Sequence, residues 1–314
     1  MNDLDALRAQ ADAGDALSQF RLARRLVIGA ELPADHEEAL RLLDRACAQG
    51  LPVALLFQAT LAATGIVRPR NFLDAIGFLQ AAAATGDARA NGQLATLGGV
   101  AGFSASAWLT PPAGEQMFDA PRISVIRKFL APEVCAWHAA QGAKRLMPAP
   151  VKDSTRGVSA IDKVRSNSAC GFSSVEADLV LQMTRLRIAS AIDLDVSHEE
   201  PSNVLHYAVG QAYGLHFDFV RADEEQVFAS ELRSVGQRVA TVLIYLNDDY
   251  VGGETVFPRL GWAFKGQTGD ALVFWNMSAA GEREMNSIHA GAPVTRGEKW
   301  LFSQWVRERP HPLL

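Results

Sequence analysis

A 36-residue period runs through the first third of the chain. Gly14, Gly50 and Gly86 follow one another at this interval, and Leu43 precedes Leu79 by the same distance. A fixed period of this length is typical of stacked supersecondary units, in which each repeat buries its apolar face only against its neighbours. The period therefore predicts an α-helical solenoid at the start of the chain.

Small residues and glycines at matching positions of the period indicate the class of repeat. The stretches Ala11–Ala16, Glu38–Leu40 and Ala46–Gly50 resemble the Sel-one-like repeats, which are relatives of the tetratricopeptide repeat. The resemblance implies a helical repeat domain over residues 1–98. Repeat arrays often act as binding surfaces, so a protein partner is expected for this domain. A helical cap with a purely structural role is the alternative.

The helical period ends in a stretch that is rich in glycine and proline. Gly99, Pro111 and Pro112 lie in this stretch, and its composition is typical of a linker. We therefore predict a linker over residues 99–118 and a second domain over residues 119–314.

Composition and charge limit the classes of partner. The formal net charge of -5 gives no sign of a nucleic-acid partner, since phosphate binding needs clustered lysines and arginines. The least polar stretch is interrupted by charged residues, so we expect no membrane span. The N-terminus is acidic where a secretory signal would be basic, and the 3 cysteines do not form a disulfide framework. These features predict a cytoplasmic protein.

The second domain carries residues that suit a metal site. His216 and Asp218 lie two residues apart in a predicted strand, so both side chains would project from the same face. A second imidazole, that of His289, follows much later in the chain. Two imidazoles and one carboxylate leave positions open on a metal, as suits a non-haem iron(II) that must also hold an organic acid and dioxygen. A His-x-Asp pair alone is weak evidence, because buried hydrogen-bonded histidines are common.

A lysine strengthens this interpretation. Lys299 follows His289 in a largely apolar strand, where a lysine is rarely found unless its charge is compensated. A dicarboxylate that binds the metal through one end needs a cation at the other end, and Lys299 would provide a charge-assisted hydrogen bond. His206 is expected to face away from the metal, because it immediately precedes Tyr207 in its strand.

Five stretches of the second domain resemble the catalytic core of the prolyl 4-hydroxylases in their order and spacing. They are Tyr207–Asp218, Arg238–Asn247, Gly252–Pro258, Gly269–Trp275 and His289–Trp300. The resemblance implies an α+β multidomain protein, in which the helical solenoid is followed by a double-stranded β-helix. This jelly-roll barrel would carry supporting helices.

The resemblance also implies roles for single residues. His216, Asp218 and His289 would be the iron ligands, and Lys299 would bind the distal carboxylate of 2-oxoglutarate. Thr241 is similar to the hydroxyl donor to that same carboxylate, and Tyr207 is similar to a tyrosine near the cosubstrate. The implied cofactors are Fe(II), 2-oxoglutarate and O2, with ascorbate as a further candidate.

A loop upstream of the barrel bears on the substrate. In prolyl 4-hydroxylases an Arg-x-Ser pattern helps to bind the peptide, and the loop that contains Arg165 and Ser166 is similar. The resemblance thus implies a dioxygenase that hydroxylates a peptidyl proline and decarboxylates 2-oxoglutarate to succinate and CO2. The alternatives are hydroxylation of another protein side chain or a small metabolite, a cupin-like metal protein without 2-oxoglutarate, and a catalytically inactive scaffold that uses the repeats.

Overall fold

The computed structural model describes residues 3–29, 31–149, 151–152, 159–160, 165–173 and 177–310. The chain divides into two compact units. The first extends to Trp108 and also contains Ser173–Thr184, whereas the second contains Leu109–Phe172 and continues from Arg185.

The first unit consists mainly of consecutive helices. They are α1 (Asp3–Asp12), α2 (Ala16–Ile28), α3 (His36–Ala48), α4 (Pro52–Thr64), α5 (Phe72–Ala84), α6 (Ala88–Thr96), α7 (Gly99–Gly102) and α8 (Ala105–Leu109). The helices α2, α4 and α6 begin 36 residues apart, which confirms the predicted solenoid. Gly14, Gly50 and Gly86 all have positive φ in the turns before these helices, a conformation that favours glycine. The periodic glycines therefore mark the same turn in successive repeats.

Small and aliphatic side chains form the core of the repeats. Leu22, Leu26 and Leu43 are almost fully buried in one cluster together with Ala39 and Ala46. Each repeat buries these residues against the next one, as expected for a solenoid. None of the described helices is both long and apolar enough to cross a lipid bilayer.

The predicted linker is more ordered than its composition indicates. Residues 99–118 contain α7, α8 and most of strand β1 (Glu115–Asp119), which pairs antiparallel with β2 (Arg122–Ile126). Four of the five residues of β1 are exposed. An exposed edge strand lacks the alternation of apolar and polar residues that marks a half-buried strand, and the sequence therefore gave no sign of it.

Two antiparallel sheets build the second unit, which confirms the predicted double-stranded β-helix. Its further strands are β3 (Met147–Pro148), β4 (Val151–Lys152), β5 (Ser159–Ala160), β6 (Ser168–Phe172), β7 (Ser202–Tyr207), β8 (Tyr213–His216), β9 (Arg238–Tyr245), β10 (Val251–Gly252), β11 (Thr255–Phe257), β12 (Trp262–Phe264), β13 (Ala271–Trp275), β14 (His289–Gly291), β15 (Val294–Arg296) and β16 (Lys299–Arg307). The large sheet has the order β1-β2-β13-β9-β16-β7-β6-β3, and the small sheet has the order β12-β11-β14-β8. Two short pairs, β10 with β15 and β4 with β5, complete the strands.

The second unit also contains the helices α9 (Pro132–Ala143) and α11 (Ala229–Val235), and the helix α10 (Leu179–Ile192) belongs to it from Arg185 onwards. An aromatic core joins the two sheets. Phe257 of the small sheet packs edge-on against Phe274 of the large sheet, with ring centroids 5.3 Å apart. Tyr245 and Phe264 form a second such pair at 5.4 Å. Burial of each of these side chains contributes about 1.5–3 kcal/mol, so the core fixes the two sheets face to face.

Candidate metal centre and cosubstrate cavity

Three potential metal ligands come together on the small sheet. His216 at the end of β8 is the register partner of His289 at the start of β14, and Asp218 follows just after β8. Nε2 of His216 lies 3.6 Å from Oδ1 of Asp218, and Nε2 of His289 lies 3.8 Å from Oδ2 of the same carboxylate. The ligand atoms of all three residues lie within 4.8 Å of one another. Strand pairing thus brings the two histidines together, although they are far apart in the sequence.

The orientation of both imidazoles leaves Nε2, the nitrogen nearer to Asp218, available to bind a metal. Nδ1 of His216 lies 2.8 Å from the carbonyl oxygen of Gly214, and Nδ1 of His289 lies 3.0 Å from that of Ser287. A carbonyl oxygen only accepts hydrogen bonds, so each Nδ1 carries the proton and each Nε2 keeps a lone pair. Metal-binding histidines are commonly oriented by a backbone carbonyl in this way.

The protonation states of His216 and Asp218 also suit a cation. Burial and the neighbouring His289 together lower the pKa of His216 to about 3, so the ring of His216 is neutral at pH 7. Burial alone would raise the pKa of Asp218. His289, His216 and Arg238 outweigh that effect and hold the pKa of this carboxyl below its ordinary value. Neutral imidazoles and an ionised carboxylate are the forms that bind a divalent metal.

Thr241 lies beside Asp218. This position differs from the one predicted for Thr241, which was at the distal carboxylate of 2-oxoglutarate. Its hydroxyl donates to Oδ2 of Asp218 over 2.7 Å, and the amide of Asn276 donates to the Thr241 hydroxyl over 3.0 Å. In the sheet Thr241 pairs with Trp305, whereas Lys299 lies six residues earlier on β16 and pairs with Tyr207. Thr241 therefore orients a ligand carboxylate and is too far along the strand to share an anion with Lys299.

Lys299 is a buried amine that forms no salt bridge with the described residues. Its side chain is almost completely inaccessible, and Nζ donates to the carbonyl oxygen of Gly253 over 2.6 Å. No carboxylate of the described residues lies within 4.0 Å of Nζ. Burial lowers the pKa of Lys299 to about 7, although the charge of Glu254 opposes this shift. A buried ammonium with spare donors is suited to bind the carboxylate of a ligand.

Thr255 is a cavity residue that sequence reasoning missed. Thr255 and Lys299 line one cavity with Tyr207, and the same cavity contains the three potential metal ligands. The Thr255 hydroxyl lies 2.9 Å from the hydroxyl of Tyr245. The sequence signal that could have identified Thr255 is its position two residues after Gly253. The carbonyl oxygen of Gly253 accepts the hydrogen bond from Lys299, so the residues after this turn lie close to the lysine.

Tyr207 lines the same cavity as Lys299, and its role beside the cosubstrate stays a prediction. It is the register partner of Lys299, and Lys299 Nζ lies 5.2 Å from the centroid of its ring. Burial raises the pKa of Tyr207, so its phenol stays protonated and keeps a hydrogen to donate. His206 faces the other side of β7 and lies 3.0 Å from Glu298, as its position in the strand predicted.

The two predicted substrate residues have different environments. Arg165 lines the cavity, and its guanidinium lies over the ring of Tyr213 at 4.6 Å from the centroid. Tyr213 in turn stacks on His216, with ring centroids 3.6 Å apart. Ser166 is exposed, and its hydroxyl is engaged with the backbone of Ala212 as both donor and acceptor. Arg165 is thus placed near the metal ligands, whereas Ser166 ties its loop to the turn before β8.

Comparison with known proteins identifies the family. A sequence profile of the 2OG-Fe(II) oxygenase superfamily matches residues 202–307. Prolyl 4-hydroxylase 1 of Arabidopsis thaliana is 36% identical over 203 residues, which cover 60% of this chain and 70% of the plant protein. The chain belongs to the prolyl 4-hydroxylase family. Membership makes it a 2-oxoglutarate-dependent dioxygenase with Fe(II), 2-oxoglutarate and O2 as cofactors, as the sequence predicted, and a need for ascorbate stays a prediction.

Solved structures resemble separate parts of this prolyl 4-hydroxylase family member. The viral collagen prolyl hydroxylase of Paramecium bursaria Chlorella virus-1, in its 2OG complex, is 25% identical with a TM-score of 0.47. That match covers 59% of this chain and 95% of the viral chain. A Sel1 repeat protein from Oxalobacter formigenes is 31% identical with a TM-score of 0.29. That match covers 31% of this chain and 73% of the Oxalobacter chain.

Proposed function

We propose that this chain hydroxylates a peptidyl proline and couples the reaction to decarboxylation of 2-oxoglutarate. The observation that carries the proposal is the presence of His216, Asp218, His289 and Lys299 in one cavity. Three metal-binding groups and a buried ammonium that is not salt-bridged within the described part of the chain are what a metal-chelated dicarboxylate requires. Relatives that are named prolyl 4-hydroxylases support proline as the hydroxylated residue.

The residues of the triad would hold the iron. His216 and His289 would each offer Nε2, and Asp218 would offer a carboxylate oxygen that Thr241 keeps in position. When bound, iron(II) supplies, together with 2-oxoglutarate and dioxygen, the oxidising chemistry that acts on a substrate C–H bond. Three protein ligands leave positions open on the metal for the cosubstrate and dioxygen.

The residues around Lys299 would bind 2-oxoglutarate. The ammonium of Lys299 would pair with the distal carboxylate, and the hydroxyls of Thr255 and Tyr207 lie on the walls of the same cavity. The apolar side chains of Leu205 and Leu243 line the cavity as well and exclude water from the bound ligand. A low local dielectric strengthens each of these polar contacts.

Aromatic and cationic side chains would receive the peptide. Arg165, Tyr213 and Trp305 line the cavity that contains the metal ligands, and the guanidinium of Arg238 lies 4.0 Å from the ring centroid of Trp305. Flat rings beside guanidinium groups suit the apolar ring and the backbone carbonyls of a proline-containing segment. Another protein side chain or a small metabolite as the substrate is the second candidate. We also propose that the repeat unit recruits a protein partner.

A matched pair of histidine variants tests the proposal. The purified full chain is incubated with iron(II), 2-oxoglutarate and proline-containing peptides, and both succinate and addition of one oxygen atom to the peptide are measured. We expect His216→Ala to lose both products, whereas His206→Ala should keep them, because His206 faces away from the cavity on β7.

The outcomes separate the alternatives. Succinate formation without any oxidised proline peptide would favour a different substrate. An anaerobic mixture of the protein with iron(II) and 2-oxoglutarate should show a metal-to-ligand charge-transfer absorption. Its absence would favour the catalytically inactive scaffold. Turnover that does not depend on Lys299 would favour a metal protein without 2-oxoglutarate.

A further inference from the structure

The repeat unit contacts a segment of its own chain through α4 and α6, the second helices of successive repeats, at two different positions of the period. The hydroxyl of Thr60 on α4 donates to the carbonyl oxygen of Ala177 over 3.1 Å. The backbone N–H of Leu179 donates to Gln93 Oε1 on α6 over 2.9 Å. Ala177 and Leu179 belong to the stretch Ser173–Thr184, which is part of this unit. One face of the repeats therefore hydrogen-bonds to the backbone of a peptide segment.

A salt bridge holds the same segment. Nη2 of Arg89 on α6 lies 3.9 Å from Oδ2 of Asp178, and this carboxylate is buried. The face thus combines hydrogen bonds to the backbone with an arginine that pairs with an acidic side chain. These are the contacts expected for recognition of an acidic segment.

The first repeat presents the same face with a different set of side chains. Arg24 on α2 lies one period before Thr60, and Arg21 lies two periods before Gln93. Both positions of α2 thus carry arginine where the later repeats carry the groups that bind the Ala177–Leu179 backbone. The face of α2 is therefore the counterpart, in the first repeat, of the face by which α4 and α6 contact the backbone at the start of α10.

A cavity lies on this face of α2. It measures about 310 Å³ and is lined by Phe20, Arg21, Arg24, Arg25, Ile28 and Glu31. This volume is at the lower end of the range for ligand pockets. Among the described residues, Arg21 and Arg24 form no salt bridge and no side-chain hydrogen bond. Arg25 is compensated by Asp3 at 3.3 Å and by Glu31 at 3.4 Å, which leaves two guanidinium groups for a ligand.

We propose that this α2 face binds an acidic segment of another protein. Arg21 and Arg24 would pair with its carboxylates, since guanidinium groups bind carboxylates through two parallel hydrogen bonds. Phe20 and Ile28 would receive an apolar side chain of the same segment, because both are half-buried and line the cavity. The site lies within the repeat unit and does not depend on the proposed hydroxylation.

Charge and apolar area together favour a peptide over other polyanions. Glu31 lines the cavity and Asp3 lies close by, so the surface is not the uniformly basic patch that nucleic acid requires. Arg21 and Arg24, which have no salt-bridge partner among the described residues, lie beside two apolar side chains and instead fit a short motif with spaced carboxylates.

Paired peptides and paired variants test the proposal in the full chain. The first probe is a short fluorescein-labelled peptide with two glutamates and a leucine, and the second has glutamines in place of the glutamates. Fluorescence anisotropy at low salt measures the affinity for each. We expect the acidic peptide to bind at least about tenfold more tightly than the second one, and the R21Q/R24Q variant to lose this difference. Arg41→Gln is the control, because Arg41 is an exposed helical arginine that pairs with Glu37 on α3.

A charge reversal separates recognition from nonspecific weakening. The R21E/R24E variant should prefer a lysine-containing peptide to the acidic one, with an unchanged thermal unfolding midpoint. Equal binding of the two original peptides, or full retention of binding in R21Q/R24Q, would overturn the proposal. Tighter binding of single-stranded DNA or of vesicles with anionic lipids than of the acidic peptide would overturn it as well.

Discussion

Thr241 donates its hydroxyl hydrogen bond to Oδ2 of Asp218, the carboxylate that lies between the two candidate metal-binding imidazoles. The side chain of Thr241 is fully buried, and its oxygen accepts a hydrogen bond from Asn276 Nδ2. The chain from Asn276 through Thr241 to Asp218 has a fixed direction, because the amide nitrogen only donates and the ionised carboxylate only accepts. Thr241 therefore acts on the metal site through Asp218.

Thr241→Val should weaken iron binding without affecting 2-oxoglutarate. Valine has nearly the shape of threonine but lacks the hydroxyl, so Asp218 loses its orienting donor. Loss of such an outer contact typically costs about 10–100-fold in metal affinity. Iron(II) titration and the KM for 2-oxoglutarate measure the two effects, with Thr241→Ser as the control that keeps the hydroxyl. A raised KM with unchanged iron affinity would instead support the predicted role at the distal carboxylate.

Thr255→Val should have the opposite profile. Thr255 shares the cavity with Lys299, and its hydroxyl can donate to the distal carboxylate of 2-oxoglutarate when the Tyr245 hydroxyl donates the 2.9 Å hydrogen bond between the two. A hydrogen bond to a charged group contributes about 1.5–3 kcal/mol, which corresponds to a rise in KM of about tenfold or more. Iron affinity should stay unchanged. Thr295→Val is the matched control, because the Thr295 hydroxyl is exposed and donates to the carbonyl oxygen of Val251. An unchanged KM in Thr255→Val would exclude this residue from cosubstrate binding.

The contrast between the two threonines shows what strand alternation predicts. Alternation correctly indicated that Thr241 faces the inside of the barrel, because residues two apart in a strand share a face. It does not give the position along the neighbouring strand, which depends on register. The register pairs Thr241 with Trp305 and places Lys299 beside Tyr207. A residue on the right face was thus assigned to the wrong end of the cavity.

Other features were predictable because they depend on local pattern. The helical repeats follow from a period that any stacked helix pair must keep, and the positive φ of Gly14 and Gly50 explains why glycine recurs. The approach of His216 and Asp218 follows from their spacing in a strand. The pairing of His289 with His216 depends on the fold, and the family resemblance provided it. The exposed strand β1 showed neither a local sequence pattern nor a family resemblance that would have predicted it.

Binding of 2-oxoglutarate should weaken as the pH rises above about 7. Burial lowers the pKa of Lys299 to about 7, so the free enzyme loses the ammonium charge above that pH. A bound carboxylate stabilises the charged form, and binding must then take up a proton. The apparent Kd should therefore rise by up to about tenfold per pH unit, the limit for one proton. The stability of the ligand-free protein should change in the opposite direction. Above about pH 7 the folded state binds fewer protons at Lys299 than the unfolded state, so the free energy of unfolding rises with pH.

Lys299→Arg provides the control for this pH dependence. The guanidinium stays charged throughout the range from pH 6 to pH 9, since its pKa is above about 12. Anaerobic titration of 2-oxoglutarate at several pH values should thus give a flat profile for Lys299→Arg and a rising Kd for the wild type. A pH dependence shared by both proteins would assign the effect to another group.

A buried ion network adjoins the metal site on the large sheet. Glu200 accepts two hydrogen bonds from Arg238, at 2.7 and 3.0 Å, and also forms a salt bridge with Arg307. Burial alone would raise the pKa of Glu200, but the two arginines outweigh it and lower the pKa to about 2. Arg238 also donates to the carbonyl oxygen of Asp218 over 3.4 Å, so the network contacts the backbone of a metal ligand. Arg307 is the least exposed member and also pairs with Glu231.

Arg307→Ala should therefore destabilise the fold strongly. The variant leaves Glu200 buried with one of its two cations missing, and removal of one partner from a buried ion pair costs about 3–5 kcal/mol. The lowered pKa of Glu200 stabilises the wild type above the ordinary carboxyl pKa, and this stability is lost as the pH falls towards 2. Urea unfolding at pH 7 and pH 4 should show a smaller acid effect in the variant. Arg233→Ala, at an exposed position of α11, should change the free energy of unfolding by less than about 0.5 kcal/mol. Equal stabilities of the two variants would mean that Arg307 does not compensate the charge of Glu200.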